Sequence, residues 1–352
     1  MRTLETMVGN EAIFPILGKR DFFNHAGASP WPRPAIDAMN QCIEDWGTLT
    51  YLGEGWFDRI GKLREALARL IGSDVEEVSI QRNTSDAISM VAGGLDLRAG
   101  DRIVTAGCEY PSNVYPWVNA AERVGASVEL VPEDRDSDGR AFVNEDRLIE
   151  ACERGQTRVL AISHVQWTSG QRMNLDRLGS FCRDRDIFFC VDGIQSLGVV
   201  PLDVSRTPVD AVCSGGHKWL MSPLGAGLLY VRRDWIERLR PSSVGWASVE
   251  RPLDWSIKWK LQGSAERFES GTHNLVGLIG MLESVRLLNE LGIDRIHERV
   301  RGLCERFECG VNREMFDSAE RVNAGRGRGK LKWLTPSERW RAGGASCFEI
   351  EG

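Results

Sequence analysis

The chain alternates between short apolar runs and longer segments whose apolar residues recur at helical spacing. Val78–Gln81, Arg102–Thr105, Val128–Val131, Val159–Ile162, Ile187–Val191, Val209–Val212 and Gly227–Val231 read as strands. Helical spacing marks Pro34–Trp46, Phe57–Ile71 (Ile60, Leu63, Leu67 and Leu70 on one face), Thr84–Leu95, a segment ending at Val124, Asn144–Cys152 and Leu175–Arg183. The run Ile187-Phe188-Phe189-Cys190-Val191 has no polar face and predicts a strand buried on both sides. Alternating strand–helix units of this kind predict an α/β fold, a mostly parallel sheet flanked by helices. In such sheets ligands gather at the carboxyl ends of the strands. Thr84, Tyr110, His164, Asp192 and Lys218 each fall just after a strand.

The pattern changes beyond about residue 235. Pro241, Gly245, Pro252 and Gly263 mark an irregular connection, followed by long helices over Asn274–Leu291 and Ile293–Phe316, split at Gly292. The Gly/basic segment Gly325–Lys330 lacks the Ser/Thr and the preceding strand of a phosphate loop, so a surface turn is expected. Ser346–Ile350 reads as the start of a strand with no closing helix after it. The expected division is a large domain over 15–255 and a smaller α+β C-terminal domain over 256–352 that lacks its last part. Residues 1–14 are expected to pack near the smaller domain.

Composition excludes several classes. Of 352 residues, 42% are hydrophobic and 27% charged, as in water-soluble globular proteins. A net charge of -6 gives no basis for nucleic acid as the main partner. No apolar run is long enough for a membrane span, and the acidic N-terminus lacks the apolar core of a signal peptide. The nine cysteines are odd in number and scattered, with no CxxC pair and no metal-ligand spacing. Reduced thiols, a cytoplasmic location and no metal are therefore expected. Several of the 12 tryptophans lie near Gly/Pro turns, which suits a cleft with aromatic walls.

Candidate chemistry centres on Cys213-Ser214-Gly215-Gly216-His217-Lys218-Trp219. A lysine at a strand end beside glycines and a histidine is placed to form a Schiff base with a carbonyl, since burial favours its neutral amine. A solvated surface lysine is the plainer alternative. Asp192, directly after an apolar strand, is either a helix N-cap or the partner of a protonated ring nitrogen, with Gln195 one turn on to meet a phenolic oxygen. Asn83-Thr84-Ser85-Asp86 opens a helix after a strand, as a plain cap or as a phosphate site. Tyr110 is a core aromatic or a ring that stacks on a ligand. Taken together, a phosphate cradle, a stacking ring, a pyridinium partner and a Schiff-base lysine match the demands of pyridoxal 5'-phosphate (PLP). No GxGxxG opens a helix after a strand, which disfavours a nucleotide-dependent dehydrogenase.

From about Phe22 onward the chain resembles the class V aminotransferase group of fold-type I PLP enzymes, which includes cysteine desulfurases, isopenicillin-N-epimerase-like proteins and kynureninase. The resemblance rests on Arg82–Ile88, Glu109–Asn113, Ser163–Val165, Val191–Gln195, Gly216–Lys218 and Arg267–Thr272, in this order. It implies that Lys218 carries the cofactor and moves the proton at the substrate Cα. It also implies that Asp192 holds the ring nitrogen, Gln195 the ring oxygen, and Thr84 and Ser85 the phosphate, with His217 nearby. Tyr110 takes the stacking place that many desulfurases give to histidine, and Trp167 stands where they have asparagine. Thr272 matches a residue that reaches the phosphate of the neighbouring subunit, which implies a homodimer with shared sites. The implied substrate is an amino acid and the expected reaction is transamination. Desulfuration, epimerisation, a lyase reaction and a non-catalytic PLP-fold protein are the alternatives.

Departures are equally legible. Gly215 replaces a phosphate-binding serine of desulfurases, Ser214 lying one residue off, and Ser222-Pro223 replaces Gly-Pro one residue late. Neither the carboxylate-gripping arginine nor the desulfurase cysteine is assignable, and Cys347 lacks a desulfurase-like context.

Overall fold

A computed structural model describes residues 3–50, 55–254, 257–321, 330–335 and 343–351. The N-terminal region supplies α1 (Leu4–Met7), α2 (Arg33–Leu49) and α3 (Trp56–Ile71). Then come β1 (Val78–Gln81), α4 (Thr84–Gly94), β2 (Arg102–Ala106), α5 (Tyr115–Val124) and β3 (Ser127–Val131). A small hairpin, β4 (Asp134–Arg135) with β5 (Ala141–Phe142), leads to α6 (Glu145–Glu153), β6 (Thr157–Ser163), α7 (Leu175–Asp184) and β7 (Phe188–Asp192). β8 (Ala211–Gly215), β9 (Gly227–Val231) and the short α8 (Arg233–Ile236) follow. The chain continues through α9 (Leu275–Leu291) and α10 (Ile293–Arg321) to a hairpin of β10 (Lys330–Trp333) and β11 (Phe348–Glu351).

The main sheet has seven strands in the order β1-β9-β8-β7-β6-β2-β3. β3, β2, β6, β7 and β8 run parallel, as the strand–helix alternation predicts. β9 departs from that pattern and is antiparallel to both neighbours. Residues 216–226 between β8 and β9 contain no helix, and a parallel return needs a crossover long enough to cover the sheet. Because β9 reverses twice, β1 points the same way as β8. The carboxyl ends of β1, β2, β6, β7 and β8 therefore share one edge of the sheet.

Two cores explain the wholly apolar strands. Phe188, Cys190, Ala211 and Cys213 face one side, where Ile88, Val91 and Trp117 of α4 and α5 cover them. Phe189, Val191 and Val212 face the other, with Leu67 of α3, Leu148 of α6, Leu178 of α7 and Leu282 of α9. Cys190 and Cys213 are buried, as core packing predicts. Phe189 is fully buried. Phe189→Ala is therefore expected to cost about 3–5 kcal/mol, read as a lower midpoint in urea unfolding with an unchanged slope.

Long helices split at Gly292 are found as expected, and Gly292 sits at φ 83°. However, α9 joins the core beneath the main sheet through Leu278, Met281 and Val285, although it lies past residue 256. The N-terminal segment reaches both parts: Met7 is buried in that same core, and Glu5 pairs with Arg295 of α10 at 3.3 Å. Of the Gly/basic segment, all but Lys330, which opens β10, lies outside the described residues.

Candidate active site

The shared sheet edge brings most of the candidate residues together. Lys218 lies in the loop after β8, and a set of backbone bonds closes that loop: Gly216 N–H to Ala226 O, Ser222 N–H to Gly216 O and Met221 N–H to Lys218 O. The closure depends on Gly216, because a Cβ there would lie 2.6 Å from the Ser222 Cβ. Met221 takes up the turn in the left-handed region at φ 51°, a strained conformation for a methionine. Half-buried Lys218 points its Nζ at the Tyr110 ring, 5.8 Å from the centroid. Burial pushes its pKa below the usual lysine value, and Asp192 partly opposes that shift.

Asp192 closes β7 and is 2% exposed. Its Oδ1 accepts the Ile194 N–H at 2.9 Å and closes a turn; residues 193–200 form no helix, so Asp192 is not a helix N-cap. The Ile194 N–H makes the sole hydrogen bond to its carboxylate from a described residue, and no arginine or lysine reaches it as an ion pair among the described residues. Burial lifts its pKa to about 7; the Ile194 N–H and Lys218 pull it down, and Glu109 adds to the rise. A buried carboxylate with one donor is short of a cationic partner.

Thr84 begins α4, and its buried Oγ1 accepts the Gly215 N–H at 2.8 Å, which joins the ends of β1 and β8. The Asn83 side chain accepts the Asp86 N–H and caps the helix. Ser85 donates its hydroxyl to Ser112 at 2.8 Å, tying α4 to the loop that carries Tyr110. A Cβ at Gly215 would sit 3.2 Å from His217 Nδ1 and 3.4 Å from Thr84 Oγ1. A Cβ would therefore crowd both side chains, and glycine is what lets the threonine and the histidine close on the end of β8. His217 is held below the usual histidine pKa by burial and then by Lys218.

Gln195 is more committed than the sequence suggests. Its Oε1 accepts the Trp219 indole N–H at 2.9 Å, and its Nε2 donates to Ala26 O at 3.0 Å. One N–H remains for a ligand oxygen. Through Ala26 the N-terminal segment 22–30 is docked onto the lysine loop. His25 stacks on Trp219 with centroids 5.5 Å apart and bonds Ser29, whose own N–H reaches His217 O. The His25–Trp219 stack had no signal in spacing.

His164 follows β6, and its backbone N–H bonds Asp192 O at 2.9 Å. Its ring is 2% exposed, and burial then Arg172 and His297 push its pKa down to about 3, so it stays neutral. Thr272 lines a cleft with Arg82, Asp86 of the first turn of α4 and Gly225 of the lysine loop. It is exposed in the segment before α9 and borders an open cleft of about 800 Å³ with Trp46, Trp246 and Arg64. Among the described residues no cluster of His, Cys, Asp or Glu fits a metal ion, and no helix is long and apolar enough to cross a membrane.

These residues fit PLP. A buried carboxylate lacking a cation suits a pyridinium N–H. The first turn of α4, which opens with Thr84 and Ser85, suits a phosphate, since the first N–H groups of a helix have no partners within it. An amine with lowered pKa suits an aldehyde, and the Tyr110 ring beside it offers a stacking surface.

The family model described as Aminotransferase class-V matches residues 22–313. Similar curated proteins include a probable cysteine desulfurase of Methanothermobacter thermautotrophicus, 30% identical over 306 residues, covering 85% of this chain and 74% of that protein. Isopenicillin N epimerase of Amycolatopsis lactamdurans is 27% identical over 340 residues, covering 93% and 80%. Among solved structures, the apo cysteine desulfurase of Thermococcus onnurineus NA1 superimposes with TM-score 0.83 at 27% identity, covering 100% of this chain and 83% of that one. The cystine C-S lyase C-DES, solved with its product cysteine persulfide, gives 0.82 at 25% identity, covering 96% and 86%. A lysine-to-alanine variant of C-DES, solved with glycine covalently linked to its PLP cofactor, gives 0.79 at 25% identity, covering 94% and 84%. With its fold, the order of its strand-end residues and a family match over most of its length in agreement, the chain belongs to the class V aminotransferase family of PLP-dependent enzymes.

Proposed function

We propose that this protein is a PLP-dependent enzyme acting on an amino acid, with Lys218 as the catalytic residue and transamination as its reaction. The observation that carries the reading is the pairing of a half-buried amine at Lys218 with a buried, under-partnered carboxylate at Asp192 on one sheet edge. PLP, when bound, supplies an aldehyde for amines and a ring that accepts electrons from bonds broken at the substrate Cα. Lys218 Nζ supplies the attaching amine and then carries a proton to and from Cα. Asp192 keeps the ring nitrogen protonated. Thr84, Ser85, His217 and the first turn of α4 hold the phosphate, and the free N–H of Gln195 meets the ring oxygen. The ring of Tyr110 covers the face beside Lys218.

Thr272 belongs to the same proposal through a second copy of the chain: it is exposed at the mouth of an open cleft, where a partner's site can meet it. The working form is then a homodimer with shared sites in the cytoplasm. The proposed division is a large unit over residues 15–255 and a small unit over 256–352, whose α9 packs beneath the main sheet. Met7 is buried in the core beneath the sheet, and Glu5 pairs with Arg295 of the small unit.

Desulfuration is the second reading, favoured by the desulfurase relatives. Tyr110 and Trp167 in place of histidine and asparagine favour another outcome at Cα. Purified protein mixed with PLP and a panel of amino acids tests the proposal. A visible band that shifts with an amino acid, with keto acid formed, supports transamination. Sulfide or persulfide from cysteine supports the second reading. A band that never responds supports a non-catalytic protein.

A further inference from the structure

We propose that Glu109 is a positioning residue: it locks together the two loops that present Tyr110 and Trp167, and so fixes the aromatic wall beside Lys218. The inference rests on the reading that Lys218 marks the substrate site. Glu109 lies between β2 and α5 and is 6% exposed. Its Oε1 accepts the Ser163 N–H at 2.7 Å and the Gln166 side-chain N–H at 2.7 Å. Its Oε2 accepts the Ser163 hydroxyl at 2.5 Å and the Asn113 side-chain N–H at 3.1 Å. Asn113 is held in turn by the Trp117 indole N–H at 3.2 Å, which anchors the network in the core. Four donors and no cation among the described residues surround this carboxylate, so its hold is directional rather than ionic.

What those donors control is the reason to assign a role. Glu109 immediately precedes Tyr110, and Gln166 immediately precedes Trp167. The two rings meet edge to face, with centroids 5.5 Å apart and an 85° angle. The Trp167 indole N–H bonds Cys108 O at 2.8 Å, a second tie between the loops. Both rings are 47% exposed, so packing surrounds only half of each. A half-exposed pair cannot be fixed by close packing as a core pair is. Hydrogen bonds one residue away must set its geometry instead. All three side-chain or backbone groups outside its own loop belong to the β6 end and the loop after it.

Glu109→Gln keeps size and shape but turns one acceptor into a donor among donors. Hydrogen exchange of the cofactor-free protein should show residues 107–114 and 163–168 exchanging roughly tenfold faster together, with β7 and β8 unchanged. With PLP and a turned-over amino acid, KM should rise roughly tenfold while kcat changes little. Trp167→Ala should behave likewise, and the double variant should be no worse than the worse single one. Fully additive losses, unchanged exchange in either loop, or a collapse of kcat with PLP lost would overturn the inference. Should Glu109→Gln fail to fold, Gln166→Leu removes the side-chain donor that joins the Trp167 loop to Glu109; faster exchange at 107–114 supports the tie, and no change overturns it. If the wild type turns over no amino acid, the catalytic reading fails while the exchange measurement still decides whether Glu109 couples the loops.

Discussion

Lys218→Ala is expected to leave a folded protein that no longer holds PLP covalently and turns over amino acids at least roughly 10²–10⁴-fold more slowly. The substitution removes the amine that attaches the cofactor and the base that moves the Cα proton. Stability should change little, because Lys218 makes no hydrogen bond or ion pair through its side chain among the described residues, and its loop is closed by backbone bonds. The visible spectrum after PLP loading and desalting is the measurement, with far-ultraviolet circular dichroism as the control for folding. A variant retaining the wild-type band would remove Lys218 from its role.

Asp192→Asn carries the second large effect, on rate and on the pH dependence of stability. With no anion to keep the ring nitrogen protonated, turnover should fall roughly 10²–10³-fold, the scale of losing one preorganised electrostatic partner. Without PLP the same group weakens the fold as pH rises. The folded carboxyl has its pKa lifted to about 7, against about 3.9 in an unfolded chain. Between those values the folded state binds the extra proton, so this contribution to stability is fully present below about pH 4 and lost as pH rises through 7. The loss amounts to at most about 4 kcal/mol. Urea unfolding of the cofactor-free protein at pH 4.5 and 7 should show a drop in the wild type that Asp192→Asn reduces. PLP should shrink the wild-type drop, because a positive ring nitrogen stabilises the ionised carboxylate. Equal pH slopes in both proteins, with and without PLP, would show that Asp192 is not the group responsible.

Much of the architecture was legible because the signals were periodic. The unbroken apolar run over Ile187–Val191 reported a strand covered on both faces, and Phe188 and Phe189 do enter opposite cores. The direction of β9 was not legible from its own residues, which suit either orientation. Only the helix-free link over 216–226 fixes it. The split near residue 256 followed a change of pattern, whereas α9 packs by its apolar face against α3, a long-range pairing with no local mark.

The site divides in the same way. Thr84, Asp192 and Lys218 stood out as polar residues at or just past the ends of apolar strands; parallel pairing gathers the ends of β7 and β8, and the doubly antiparallel β9 brings that of β1 to the same edge. Gln195 was visible as a polar residue one turn past Asp192, but its bonds to Trp219 and Ala26 depend on where residues 22–30 fold back. Glu109 sat in plain view as an acid at a strand end. Its four donors come from Ser163, Gln166 and Asn113, and only the adjacency of β2 and β6 brings the first two to it.

Reduction of the PLP-loaded protein with borohydride, followed by peptide mass spectrometry, tests the central claim most directly. The mass of a reduced pyridoxyl phosphate should appear on the peptide containing Lys218 and on no other lysine. A label on another lysine, or none from a protein that has turned yellow with PLP, would contradict it.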